Sequence, residues 1–503
     1  VSRSLPSAPA VAERTADDPD PRRWLVLGVC LSALFMTLLD ATIVNVALPS
    51  IGATLRADAA QQQWVVSGYA LAFGMVPIIA GRLGDDRGRR RMLLLGIAGF
   101  VLTSLLAGTA PSPAVLLAAR VLQGLAGGLI NPQVSGLVQQ MFPRRERGRA
   151  FGLLGLNVGL AQAVGPVLGG LIIAAGGRTL GWRLTFLINV PVGTLAFLLA
   201  WRLLPRERTD PVRRPLDLPG AAFLALGLAG VLFPVVEYDA DRRASRLVLI
   251  APALLVLAGF LWWERGPARR RGHPLIDTRL FHVRSYADGL GLALLYFAGF
   301  TGTSLVLSLF LQYGLGFSPL GSGLTASSLA LGLAIGAPVA GRLINRSGRF
   351  VLVVALATFA VGIAGAAMTV RLAVGSVTAA ELAWLLAPSL FVAGLGGGSV
   401  ITPNQALSLR EVNVAGGSTA GGMLQTAQRV GAAVGAAVLS AVFYGTLAGR
   451  HPASPSARAA HYGSAYSAAL SVTVLMALAA LALAIGETRR ERAAEPRFER
   501  EAG

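Results

Sequence analysis

The chain has 503 residues, a formal net charge of +19, and is 54% hydrophobic but only 14% charged, with mean hydropathy +0.62. So few charges cannot coat a soluble protein of this length, and apolar stretches of about 17–25 residues, each able to cross a bilayer, recur along nearly all of it. The basic excess, all 44 residues of it Arg, lies in runs between those stretches rather than on one arm or face. That argues against a nucleic-acid partner and fits the enrichment of basic residues in cytoplasmic loops.

In chain order, residues 1–23 are polar and rich in Pro, Ala, Asp and Arg. They read as a disordered cytoplasmic tail rather than a cleavable signal. Fourteen spans follow, at roughly 24–46, 62–82, 92–110, 114–138, 148–175, 184–204, 217–236, 247–263, 286–312, 320–341, 350–370, 382–408, 415–446 and 464–486. The chain is therefore expected to be an all-α polytopic membrane protein. The seventh and eighth spans have the weakest patterns: Pro219 and Pro234 flank one, and the other is short. Connections such as 109–113 and 313–319 carry no charge, whereas the alternate ones hold Arg87, Arg89, Arg90 and Arg91, or Arg144, Arg145, Arg147 and Arg149. That asymmetry predicts a cytoplasmic-membrane protein with both termini inside. The single cysteine, Cys30, falls in the first span and reads as a packing residue.

The first span also holds Asp40. A carboxylate at the centre of an apolar helix costs on the order of 2.5–3.5 kcal/mol or more, so its presence points to function. Arg120 lies in the fourth span. Counted along their helices at 1.5 Å per residue, both residues sit roughly 9 Å below the outer boundary and can pair if the helices adjoin. Burial favours the neutral acid and a guanidinium partner favours the carboxylate, so a change between these environments loads and unloads a proton. A static ion pair is the plainer alternative, but the position matching Arg120 in the second half is Leu390.

That match rests on internal repetition. Gly81-Arg82-Leu83-Gly84-Asp85 recurs in outline as Gly341-Arg342-Leu343-Ile344-Asn345. Gly124-Leu125-Ala126-Gly127-Gly128 recurs as Gly394-Leu395-Gly396-Gly397-Gly398, and Gly165 and Gly169 as Gly431 and Gly435. Landmarks in one order at nearly constant offset argue for duplication. The expected organisation is a six-helix half at 24–204, a two-helix insert with its linkers at 205–285, a second six-helix half at 286–486 and a tail at 487–503, with a site between the halves.

These motifs resemble the major facilitator superfamily and, within it, the fourteen-helix drug:proton antiporters. The loop after span two matches Gly-x-Leu-x-Asp-x-x-Gly-Arg-Arg through Gly81, Leu83, Asp85, Gly88, Arg89 and Arg90, departing only at Asp86. Leu117, Arg120, Gln123 and Gly124 match Leu-x-x-Arg-x-x-Gln-Gly, and Gly165, Pro166, Gly169 and Gly170 match Gly-Pro-x-x-Gly-Gly. The strings around Asp40, and Gly181-Trp182-Arg183 with Ile188-Asn189-Val190-Pro191, are similar to that branch. The resemblance implies proton coupling at Asp40 and Arg120, a cytoplasmic latch at Asp85, and a leak-limiting seal between the halves at Gly165 and Gly169.

Polar and aromatic residues within spans are candidates for a substrate cavity: Asn45, Gln123, Tyr69, Phe297 and the deep cation Arg429 above all. Sparse polarity among aromatics suits amphipathic compounds. No Cys cluster, catalytic Ser/His/Asp spacing or phosphate loop appears, so no enzyme activity, metal or cofactor is expected. The expected partners are a small-molecule substrate, protons and the lipid bilayer, with the protein acting as a monomer. Export of a drug or antibiotic by alternating access is the leading expectation; export of an endogenous metabolite or lipid, or metabolite import, are the alternatives.

Overall fold

The computed structural model describes residues 20–205, 217–241, 250–266, 268, 275–276, 278–447 and 454–501, and among them there is no strand. In the first half, α1 is Arg23–Leu55, α2 Ala59–Met75, α3 Pro77–Arg87, α4 Arg89–Gly108 and α5 Pro113–Met141. Two further spans, α6 (Arg144–Gly177) and α7 (Thr179–Leu203), complete it. Local chemistry sets these limits. Asp58 and Gln61 form a reciprocal capping box at the start of α2, and Ser112 caps α5 with Pro113 behind it, satisfying N–H groups that have no helical acceptor. Pro77 begins α3 after a 46° bend from α2, so the second span is one broken helix. The run from 144 to 187 turns at Gly177, whose φ of 67° lies in the left-handed region open to glycine.

The central pair is α8 (Leu218–Asp241) and α9 (Ile250–Arg265). The second half holds α10 (Arg284–Leu309), which ends in a π turn over Phe310–Gly314, then α11 (Pro319–Ser347), α12 (Phe350–Ala373), α13 (Ala379–Ser408), α14 (Gly417–Leu447) and α15 (Pro455–Glu501). The last helix continues past the expected span end at 486. The expected N-terminal tail, up to residue 19, and the Arg-rich linkers at 206–216 and 242–249 lie outside the described residues.

Eleven of the described helices are long and apolar enough to cross a membrane, and the bent α2–α3 pair makes twelve. The fourteen-span expectation is therefore met only in part. The expected seventh and eighth spans coincide with α8 and α9. Over its described residues neither α8 (Leu218–Asp241) nor α9 (Ile250–Arg265) is among the helices long and apolar enough to cross a membrane.

The same pairings recur in the two halves. First packs on fifth (α1 on α6, α10 on α14), third on fourth (α4 on α5, α12 on α13) and third on sixth (α4 on α7, α12 on α15). Between halves, α6 packs on α11 and α3 on α14, a reciprocal exchange of second and fifth helices. The insert adheres through α8, which touches α2 and α14.

Small residues make the exchange possible. A Cβ at Gly148 or Gly155 of α6 would overlap Ile344 or Ala337 of α11, and one at Gly341 would overlap the Gly148 backbone. In a membrane, where lipid and protein interiors are equally apolar, such close backbone approach is a main source of helix affinity. Hydrogen bonds across the halves gather toward the end bearing the Arg-rich loops. Gln405 Nε2 donates to Ser135 Oγ at 2.9 Å, Thr402 Oγ1 to the Phe151 carbonyl at 3.3 Å, and Asn345 Nδ2 to the Arg145 carbonyl. The halves are thus closed together on that face.

Candidate functional site

Asp40 and Arg120 are both fully buried. They meet inside the first half, with Arg120 Nη1 donating to Asp40 Oδ2 at 2.5 Å. Asp40 Oδ1 accepts from Gln123 Nε2 at 3.1 Å and from Asn189 Nδ2 at 2.8 Å. Gln123 also donates to Ser104 Oγ at 2.7 Å and accepts from Arg120 Nη1 at 2.7 Å, while Arg120 Nε donates to the Val65 carbonyl at 2.9 Å. Five helices therefore join one network around this carboxylate: α1 carries it, α5 and α7 donate to it, and α2 and α4 hold its partners through Val65 and Ser104. Gln123 belongs to this network rather than to a cavity wall. Asn189 belongs to the Ile188-Asn189-Val190-Pro191 string that carries the resemblance, but the sequence gives no role for it; Ser104 gives no signal beyond being a polar residue in an apolar span.

On its other side the Arg120 guanidinium lies 4.2 Å from the Tyr69 ring centroid. Tyr69 donates its hydroxyl to the Thr37 carbonyl at 2.9 Å and stacks on Phe73 at 5.8 Å. Arg429 lies over the far partner of that stack, 4.6 Å from the Phe73 centroid. Two guanidinium groups thus flank one aromatic pair, one belonging to the ion pair and the other to the interface between halves.

Arg429 opens onto a cavity of about 230 Å³ lined by the first, fourth and fifth helices of both halves. Its polar walls are Asn131, Gln162, Gln405, Gln425, Gln428 and Arg429, and Phe297 and Phe300 supply aromatic surface. Asn45 is exposed and is not among the lining residues. Asn131, which does line it, gave no sequence signal beyond standing in an apolar span. Among the described residues no group of three or more His, Cys, Asp or Glu is placed to hold a metal ion.

The loop after the broken second span builds a separate device. Gly88, at φ 98°, turns the chain so that Asp85 and Arg89 meet at 2.9 Å. Asp85 also reaches across to the start of α14, accepting from the backbone N–H of Ser418 at 3.1 Å and of Thr419 at 2.8 Å, and from Thr419 Oγ1 at 2.8 Å. These are first-turn amides with no helical acceptor, at the positive end of the helix dipole, where a carboxylate is most favourable. Arg89 extends the clasp to Ser418 Oγ at 2.9 Å, to the Gly136 carbonyl at 2.9 Å and to the Val414 carbonyl. Arg90 instead donates to the Trp201 carbonyl at 2.5 Å, within the first half. Gly81 touches the Ser418 backbone so closely that a Cβ would overlap it. In the second half, Asn345 bonds the start of α6 through Arg145, and Arg349 pairs with Glu487.

Gly165 and Gly169 face α1 of their own half. A Cβ at Gly165 would overlap Thr42 Oγ1, and one at Gly169 would lie 2.8 Å from Ile43 Cγ1. Pro166 lies within the same helix, and a Cβ at Gly170 would meet nothing within 4 Å. The contact therefore draws α1 against α6 beside Asp40. The contact of α6 with the other half is made by Gly148, Gly152, Gly155 and Gly159.

Comparison with known proteins agrees with this architecture. The sequence profile of the Major Facilitator Superfamily matches residues 30–263 and 289–502. The chain is 39% identical to a probable actinorhodin transporter of Streptomyces coelicolor, over 90% of this chain and 78% of that one. It is 35% identical to the puromycin resistance protein pur8 of Streptomyces alboniger, over 97% and 96%. The tetracenomycin C resistance and export protein of Streptomyces glaucescens is 33% identical over 85% and 77%. Among solved structures, the human organic anion transporter MFSD10 superposes with a TM-score of 0.62 at 19% identity, covering 92% of this chain and all of that one, a likeness of fold alone. Profile, relatives and helix arrangement agree: the chain is a multi-pass membrane protein and a member of the major facilitator superfamily.

Proposed function

We propose that this chain is a proton-coupled antiporter of the fourteen-helix branch that exports antibiotic-like compounds from the cytoplasm. Export rests on similarity to transporters named for actinorhodin, puromycin and tetracenomycin C. Proton coupling rests on one observation: a fully buried carboxylate in a membrane-spanning helix, held by Arg120, Gln123 and Asn189. Such a group is costly to keep unless its charge state is used.

In this reading the Arg-rich face is cytoplasmic, both termini lie on it, α8 and α9 complete fourteen spans, and the monomer is the working unit. The structure then corresponds to a state closed toward the cytoplasm. A proton arriving from outside neutralises Asp40, ends its attraction for Arg120 and removes an acceptor from Gln123 and Asn189. The α1, α5 and α7 contacts that depended on that charge loosen. The Asp85 clasp opens, and the halves rock about the cavity. Substrate entering from the cytoplasm favours the re-formed ion pair, and the proton leaves inward. Gly165 and Gly169 keep α1 close to α6 throughout, so that Asp40 stays in register with Arg120. The cavity lies below the ~300–1,000 Å³ of most drug-sized pockets, as expected of a site narrowed while the cytoplasmic face is closed.

The test uses inverted membrane vesicles loaded with a pH-sensitive dye and energised to acidify their interior. Adding puromycin or an anthraquinone antibiotic should release protons from vesicles carrying the wild type and not from those carrying Asp40→Asn. Equal release by the variant would remove Asp40 from the coupling step.

A further inference from the structure

We infer that the cavity recognises an aromatic anion, a carboxylate or acidic phenol on a planar ring system, through Arg429 and Gln425 of α14. The inference rests on the exporter reading and specifies its substrate class. Arg429 faces the cavity. Among the described residues it makes no hydrogen bond or ion pair, and its one close partner is the Phe73 ring. A guanidinium over an aromatic face recovers only a fraction of what pairing with an anion gives. Gln425 stands four residues earlier, on the same face of the helix, and lines the same cavity. It is 5% exposed, yet neither its amide nitrogen nor its amide oxygen has a hydrogen-bond partner. Buried polar groups are nearly always paired, so a cation and an amide left open together, one helical turn apart, form a candidate anion site.

The rest of the cavity sets the ligand's sign and shape. No Asp or Glu is among its lining residues, so a cationic compound would meet Arg429 with nothing to offset the repulsion. The buried carboxylate of the first half, Asp40, is already occupied by Arg120, Gln123 and Asn189. Arg429 supplies charged N–H donors to an acidic oxygen. Gln425 supplies both a donor and an acceptor, suiting a carbonyl or hydroxyl beside it. Phe297 and Phe300, on the wall contributed by α10, offer faces for the ring.

The experiment measures binding to the purified full chain in lipid nanodiscs at neutral pH. The ligands are an anthraquinone carboxylic acid, its methyl ester and the matching aminomethyl cation. The acid should bind at least about tenfold more tightly than the ester, as expected for losing a charge-assisted bond. Arg429→Gln should erase that difference while ester binding persists, and Arg429→Lys should restore part of it. Retained ester binding shows that the glutamine variant is folded. Gln425→Ala should weaken the acid more than the ester. Equal binding of acid and ester, preference for the cation, an unchanged preference in Arg429→Gln, or no binding of any of the three would each overturn the assignment. The same compounds added to the energised vesicles separate the two readings. Arg429-dependent binding of the acid without proton release upholds the site and refutes coupling. Proton release by the ester with no preference for the acid refutes the site and upholds coupling.

Discussion

Replacing Asp85 with Asn tests how the two halves are held together. The carboxylate accepts from Arg89, from the Ser418 and Thr419 amides and from the Thr419 hydroxyl. Asn keeps one acceptor oxygen and turns a donor toward the other set, so about two of the charged bonds are lost. At ~1.5–3 kcal/mol for a hydrogen bond to a charged group, and allowing for water at this end of the molecule, the closed arrangement should weaken by roughly 2–4 kcal/mol. That is a shift of about thirty- to several-hundred-fold in the balance between closed and open forms. Three of the four contacts join the first half to α14, so the loss falls on closure and not on the stability of either half. Cys30 is the only cysteine. With Cys30→Ala as background, Arg87→Cys and Arg410→Cys place spin labels on exposed sites of the two halves. Double electron–electron resonance should show one short-distance population with Asp85 present and a second, longer one in Asp85→Asn. An unchanged distribution would refute the view that this carboxylate holds the face closed.

Two further substitutions follow from the geometry. Arg120→Met should lower stability by about 3–5 kcal/mol, because it leaves Asp40 buried without its cation. Combining it with Asp40→Asn should recover much of that loss, as read from thermal unfolding of the purified protein; strictly additive losses would show that the two residues are not coupled. Gly165→Ala forces its new methyl into Thr42 and displaces the bond that Thr42 makes to the Ala161 carbonyl, at a cost of roughly 1–3 kcal/mol. Gly170→Ala, whose Cβ meets nothing within 4 Å, should leave the melting temperature unchanged. Since Cys30 is buried, a thiol-reactive dye reports these transitions directly.

Much of the site was legible in the sequence because cost and depth are linear properties of a chain. A carboxylate inside a span stands out by its desolvation cost, and counting residues from the span ends places Asp40 level with Arg120. The Asp85 clasp was legible in kind, since a turn glycine beside Asp and Arg announces a local cap; its partner, the start of α14, lies some 330 residues away and emerges only from the fold. Facing direction is what the sequence withheld. In a bilayer, outward and inward surfaces are alike apolar, so no periodicity shows that Gln123 turns to Asp40 while Gln425 turns to the cavity. Nor does it show that Gly165 and Gly169 meet α1 while Gly148, Gly152, Gly155 and Gly159 meet α11. The same ambiguity made Asn131 indistinguishable from an incidental polar residue and left Asn189, though part of a motif string, without a partner to name.

The unpaired guanidinium of Arg429 also bears on the electrical work of each cycle. Its charge belongs to the protein, so it would neutralise a bound anion inside the cavity without accompanying it across. Exchange of one inward proton for one outward monoanion would therefore move two positive charges inward per turnover, against one for a neutral compound. At about 2.3 kcal/mol per charge per 100 mV, a membrane potential of that size would contribute roughly 4.6 kcal/mol to each molecule expelled. Anion export would then be more voltage-sensitive than neutral export, and would persist on the membrane potential alone when the pH gradient has collapsed.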